Sequence, residues 1–310
     1  TLRSPDGQRA LALYGTADTP GHVFRIDLYS ADGKFLRNVT PPDLSCVFPE
    51  TVSWSPQGNH ITFVARKTPS PSPSPTPESA VMPETLEASP LPSVAPAFAS
   101  VPLFATEQIY ICDRDGYDLK PLTSREGLIY FYFAWAPDNH AVVAIACRES
   151  EWDAREREFR MPAGRPRLIT LDGTERLLDD RLTEALPVWS PDASKVATAF
   201  ETEVMVYDAA TNRPTQGRIR LGDPLLGASK AFDAKESSPA DNNSNAAAAE
   251  TPTPSDVIPA SYNPIVKLRW ASPEKLYLQT AYVRLFPNDY TSTFQRWHLV
   301  MLSPQAVVLK

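Results

Sequence analysis

Three carboxylates fall within six residues at Asp113-Arg114-Asp115-Gly116-Tyr117-Asp118. Oxygen donors at that density could hold a calcium ion. The same Asp-Gly element recurs with a single carboxylate at Ala31-Asp32-Gly33 and Asp172-Gly173, however, so turn formation accounts for it without a metal. His22, His60, His140 and His298 are scattered, with no His-x-x-x-His pair, and read as surface histidines. Nucleophilic chemistry needs a rigidly placed Ser, and the protein has no Gly-x-Ser-x-Gly elbow. Its nearest approach, Leu226-Gly227-Ala228-Ser229-Lys230, lies in low-complexity sequence. The sequence therefore reads as non-enzymatic, with no catalytic residue, cofactor site or metal site.

Tryptophan followed by a Ser-Pro or Ala-Pro turn dominates instead. It occurs at Trp54-Ser55-Pro56, Trp135-Ala136-Pro137, Trp189-Ser190-Pro191 and, with one extra residue, Trp270-Ala271-Ser272-Pro273. A Trp-less copy stands at Arg3-Ser4-Pro5-Asp6-Gly7. The copies are 51, 81, 54 and 81 residues apart. Both long intervals contain a segment unsuited to a sheet: a Pro/Ser-rich tract over 68–103 and an Ala/Asn/Pro-rich tract over 223–261. With about 30 residues set aside from each, the period settles near 50, the length of a four-stranded propeller blade. Proline removes backbone donors and keeps the first tract extended, so both tracts are expected to be disordered inserts in a single domain spanning 1–310.

Each period repeats one order of signals. A strand ends at the Trp, a Pro/Asp/Gly turn follows, and then come two apolar strands such as Ala141 to Cys147 and Arg167 to Leu171. A second Asp-Gly turn, expected to be type I′, leads to a short outer strand. Five units are visible, the first without its innermost strand. Glu149 to Phe159 is charge-dense and lacks a full apolar stripe, which predicts a loop with at most a short helix. The basic stretch Arg155 to Arg167 is interleaved with acids and prolines and reads as a solvated loop. Trp54, Trp135, Trp189 and Trp270 occupy equivalent positions and are expected to pack between blades.

This Trp-Ser-Pro-Asp-Gly repeat resembles the WD-like repeat of TolB-type β-propellers, also seen in the propeller domains of prolyl-oligopeptidase-like proteins. The resemblance covers nearly the whole sequence outside the two inserts. It implies an all-β propeller of four-stranded blades, either closed with five or part of a six-bladed ring. It also implies a protein-interaction scaffold in the periplasm or cell envelope, or an accessory subunit of a larger assembly. Two alternatives stay open: the substrate-gating propeller of a serine peptidase whose catalytic domain lies elsewhere, and a carbohydrate-binding propeller. Ser30-Ala31-Asp32-Gly33-Lys34 has the outline of a sialidase-like Asp-box but lacks the aromatic residue expected after its Gly.

A net charge of −7 disfavours nucleic acid and anionic membranes as partners. No apolar run is long enough for a membrane span. Cys46, Cys112 and Cys147 lack Cys-x-x-Cys spacing, and Cys112 and Cys147 fall in strands of neighbouring units, where they read as buried hydrophobes, a cross-blade disulfide being the alternative. Protein partners are expected on the rim that carries the long connections. Trp152, set among charges, and Phe286 and Tyr290, in a predicted loop from Arg284 to Tyr290, are the candidate anchors there.

Overall fold

The Ser-Pro turns explain why each repeat begins as it does. Ser4, Ser55 and Ser190 are buried, and their hydroxyls accept the backbone N–H five residues on, from Arg9, His60 and Lys195, at 2.9, 3.1 and 2.9 Å. Asp6 and Asp192 each accept their turn's Ser hydroxyl. The fourth turn residue is left-handed in the first four copies: Gly7, Gly58, Asn139 and Ala193 have φ of 69°, 73°, 69° and 57°. This is a type I turn closed by a one-residue bulge. The second turns, expected as type I′, use the same device. Gly33, Gly116 and Gly173 have φ of 85°, 77° and 87°, whereas Asp32, Asp115 and Asp172 are not among the residues with positive φ. A single left-handed position falls on glycine, which has no Cβ to strain.

The computed structural model describes residues 1–15, 23–67, 106–158, 162–209, 216–221, 265–286 and 289–302. Both inserts lie outside the described residues. The first sheet runs β1 (Leu2–Arg3), β2 (Arg9–Gly15), β3 (Phe24–Ser30) and β4 (Phe35–Asn38). In the second, β5 (Leu44–Ser45) and β6 (Ser53–Trp54) both pair with β7 (His60–Lys67), followed by β8 (Gln108–Asp113) and β9 (Lys120–Pro121). The third comprises β10 (Leu128–Trp135), β11 (Ala141–Arg148), β12 (Arg165–Thr170) and β13 (Glu175–Leu177). The fourth comprises β14 (Ala185–Trp189), β15 (Lys195–Phe200), β16 (Glu203–Asp208) and β17 (Gln216–Arg220). β18 (Ile265–Ser272), β19 (Lys275–Phe286) and β20 (Asp289–Met301) form the fifth.

Among the described residues every strand pairing is antiparallel, and all but β5 with β7 join consecutive strands, so the fold is an all-β propeller with five blades described. One expectation is corrected. The first unit does have an inner strand, β1, whose Leu2 pairs with Leu11; two residues are too few to show any periodicity. The fifth sheet has three strands among the described residues.

Successive sheets pack face to face. Leu11, Ile26 and Leu28 meet Ile61 and Phe63; Val64 and Ile109 meet Tyr130, Val142 and Ala144. Val143 and Leu168 meet Val196 and Tyr207, and Ala197 and Val204 meet Leu268 and Leu276. A sheet covered on both faces needs apolar residues at every position, and all of Ala141 to Cys147 are indeed buried. The repeat tryptophans sit at these seams. Each indole N–H donates backward to the preceding blade: Trp54 to Leu2 O (3.2 Å), Trp135 to Thr62 Oγ1 (2.8 Å), Trp189 to Ala134 O (3.0 Å) and Trp270 to Val188 O (3.1 Å).

Candidate functional site: the long-connection rim of the third blade

In an antiparallel meander, the first and third hairpins of each sheet emerge at one end. The second connection and the link to the next sheet emerge at the other. At that second end of the third blade, Arg125, Arg148, Arg165 and Arg167 line a cavity of about 500 Å³ together with Glu126, Leu128, Leu177 and Asp180. The arginines come from separate places. Arg125 lies on the link from the second blade, Arg148 ends β11, and Arg165 and Arg167 project from one side of β12, two residues apart. Gln108, fully buried, fixes the link: its side-chain amide donates to Arg125 O and Leu128 O at 3.2 and 3.3 Å.

Two carboxylates organise the guanidinium groups. Glu175 accepts from Arg167 Nη1 and from Tyr130 Oη at 2.8 Å, and pairs with Arg125, whose Nε lies 3.2 Å away. Burial first, and the adjacent Glu175 charge second, push the Tyr130 phenol far above its ordinary range. Glu151 takes Arg165 Nη1 on both oxygens at 2.8 Å and caps the Arg148 backbone N–H at 2.9 Å. Burial raises the Glu151 carboxyl, but these two partners outweigh it and hold the group below the usual carboxylate range. Arg165 Nε reaches Asp180 Oδ1 at 3.1 Å. Arg167 is 7% exposed, and its Nε–H has no acceptor among the described residues.

Glu151 belongs to a nine-residue helix, α1 (Glu149–Arg157), in the segment that reads in sequence as a loop with at most a short helix. The helix lacks an apolar stripe because it is held by individual contacts. Trp152 inserts between Phe48 and Phe131, with ring centroids 5.7 and 5.4 Å away, and buried Arg155 pairs with Glu184. Trp152 is therefore half-buried, not a free aromatic on a loop. The solvated reading of Arg155 to Arg167 is corrected likewise: Arg155 and Arg167 are buried. The one signal for this site in the sequence was Arg165-Pro166-Arg167, two arginines at strand spacing; Arg125 and Arg148 had none.

Phe286 and Tyr290 lie within strands, not in a loop, at the tip of the β19–β20 hairpin, where Phe286 pairs with Asp289 and Leu285 with Tyr290. They belong to the fifth blade and Trp152 to the third. Asp113 Oδ1 accepts the N–H groups of Asp115 and Tyr117, Asp115 pairs with Arg9 of the first blade at 3.0 Å, and Asp118 is left-handed with φ of 54°. These acids thus shape a turn and tie two blades. His140 is exposed; His60 stacks parallel to Trp135. The three cysteines are free, which corrects the Cys112–Cys147 alternative, and burial pushes each thiol up to about 12. Among the described residues, no helix is long and apolar enough to cross a membrane.

No protein-family model matches the chain, and no curated protein matches it. Among solved structures, one assigned as TolB from Agrobacterium tumefaciens is 14% identical, with 72% of this chain and 66% of that one covered and a TM-score of 0.37. The dipeptidyl peptidase 4 of Porphyromonas gingivalis is 10% identical, with 94% and 45% covered and a TM-score of 0.42. A prolyl endopeptidase is 12% identical, with 61% and 26% covered and a TM-score of 0.31. The chain spans less than half of either peptidase.

Proposed function

We propose that this protein is a non-enzymatic, TolB-like binding propeller whose long-connection rim docks a protein partner, as a cell-envelope or accessory subunit. The observation that carries this reading is the helix α1, a nine-residue elaboration between two strands of one blade. Trp152 and Arg155 hold it on that rim, beside the arginine-lined cavity. Elaborations on one side of a repeat array are where such proteins differ to meet partners. The opposite rim is made of short polar turns whose carboxylates bond to their own hydroxyls and amides. Glu151 accepts from the Arg165 guanidinium and Glu175 from that of Arg167, which suits both carboxylates to hold arginines in place.

Site-specific photo-crosslinking tests it. Crosslinkers at Arg157, Asp180 and Glu201 lie at the long-connection rim; those at Asp32, Gln57 and Asp172 lie at the hairpin rim, and all six positions are exposed. In cells, adducts to a common partner should form from the first group only. Adducts confined to the second group, or peptidase activity of the intact gene product, would overturn the proposal.

A further inference from the structure

We propose that the outward face of the fifth blade is a second docking surface, and that it receives an acidic segment of a protein partner, one that presents apolar side chains beside a row of carboxylates. This surface is separate from the long-connection rim and does not depend on it. Alternation along the strands decides which side chains lie there. Leu276 and Leu278 of β19 and Val300 of β20 pack on the fourth blade, so Tyr277 and Leu299 point the other way. Register completes the face: Arg269 stands beside Tyr277 and Leu299, Lys267 shares its row with Trp297, and Lys275 pairs with Met301. Trp297, Leu299 and Met301 are 49%, 47% and 60% exposed, three large apolar side chains in line along one strand. Exposed apolar surface of this kind marks an interaction site.

The charge on this face says what covers it. The earlier blades turn aliphatic side chains toward the next blade, as at Val143 and Leu168 of the third or Ala197 and Val204 of the fourth. On the fifth, Lys267, Arg269 and Lys275 stand exposed, and none is paired with a carboxylate among the described residues; Arg269 only leans over the Tyr277 ring, at 5.6 Å. The described strand residues of this blade on that face include no Asp or Glu, and Glu274 lies in the β18–β19 turn. An aliphatic cover would strip water from these cations and leave them unpaired, which is costly; a cover that brings carboxylates repays the loss. Neighbouring strands lie about 4.8 Å apart, so the cations of β18 run about 10 Å from the apolar row of β20, the width of one helix. The chain's own surfaces do not fit. A second copy docked by the same face would set cation on cation. The outward face of the first blade carries Arg3 and Arg25, and the one carboxylate in its strands, Asp27, is buried and held by Arg25 at 2.8 Å.

Photo-crosslinkers placed in the full-length protein at Lys267 and at Leu299 test this in cells. Both should give adducts to one protein, and the crosslinked peptides, sequenced by mass spectrometry, should be rich in Asp and Glu. Lys267→Glu combined with Arg269→Glu should cut the adduct from Leu299 by about tenfold, whereas Lys267→Arg combined with Arg269→Lys should keep it. Trp297→Ala should lower it by about tenfold as well, with an unchanged thermal melt. The proposal is overturned by no adduct, by adducts only to a second copy or within the chain itself, by crosslinked peptides without acidic residues, or by indifference to the charge reversal. Binding of the purified protein to phosphatidylserine-containing vesicles in place of a protein adduct would assign the face to a lipid surface and overturn it too. Crosslinks at the long-connection rim with none here would remove this proposal alone; crosslinks here with none at the rim would remove only the rim.

Discussion

Trp189 Nε1 donates to the backbone oxygen of Ala134 at 3.0 Å, fastening the innermost strand of the fourth blade to that of the third. The acceptor sits one residue before the third blade's own tryptophan, Trp135. Trp270 reaches Val188, the residue before Trp189, in the same way. The turn motif therefore carries both the hairpin and the joint to the previous blade. Trp189→Phe keeps most of the packing and loses the bond, and should lower stability by about 1 kcal/mol. Trp189→Ala also leaves a void at the seam and should cost roughly 3 kcal/mol. Urea denaturation of both variants separates the two contributions; equal losses would mean that the void at the seam costs nothing beyond the lost bond.

Trp152→Ala removes the wedge between Phe48 and Phe131 and should destabilise by about 1–2 kcal/mol. The loss should appear as faster amide exchange across α1 before any change in the blade cores.

Gly164 has no room for a side chain. A Cβ there would stand 2.6 Å from Ile145 Cγ2 and 2.7 Å from Ala146 O. Because one of these neighbours is backbone, the clash cannot be relieved by a rotamer change. Gly164→Ala should therefore cost about 2 kcal/mol or more and displace the start of β12, where Arg165 sits. A thermal melt coinciding with wild type would contradict the packing described here.

Acid should weaken the turns. Burial raises the Asp192 carboxyl, but the Ser190 and Ser194 hydroxyls and the Ser194 N–H outweigh it and hold the group below the usual carboxylate range. Glu151 is depressed similarly. A carboxyl with a lower pKa in the folded state stabilises fully above the unfolded value, about 4, and loses that contribution as pH falls through the folded value. Stability measured by urea midpoint should be flat from pH 7 to 5 and fall below pH 4. Asp192→Asn should flatten the decline; an unchanged decline would assign it to other carboxyls.

The Pro/Ser-rich insert joins two strands that are already partners, since Ala65 pairs with Gln108. Deleting 69–102 shortens the connection without parting its ends, so the unfolding free energy should change by only about 1 kcal/mol, in the stabilising direction. A collapse of the fold on deletion would show that the segment packs.

The repeat and its turns were legible in the sequence because they are local. Pro fixes one dihedral, Gly or Asn takes the left-handed position, and a buried Ser closes the turn from within a few residues, so Trp-Ser-Pro-Asp-Gly announces a hairpin wherever it stands. Alternating and continuous apolar runs then marked five sheets. The two-residue β1 was too short to leave such a run, and α1 was obscured because its stability comes from Phe48, Phe131 and Glu184, distant partners that leave no periodic trace. The arginine cavity depended on tertiary structure altogether. Arg125, Arg148, Arg165 and Arg167 become a site only when a blade link, one strand end and the adjacent strand converge, and in the sequence each reads as an ordinary surface charge. What made Arg167 distinct, burial with an unmet Nε–H, is a property of its spatial surroundings and not of the residues beside it in sequence.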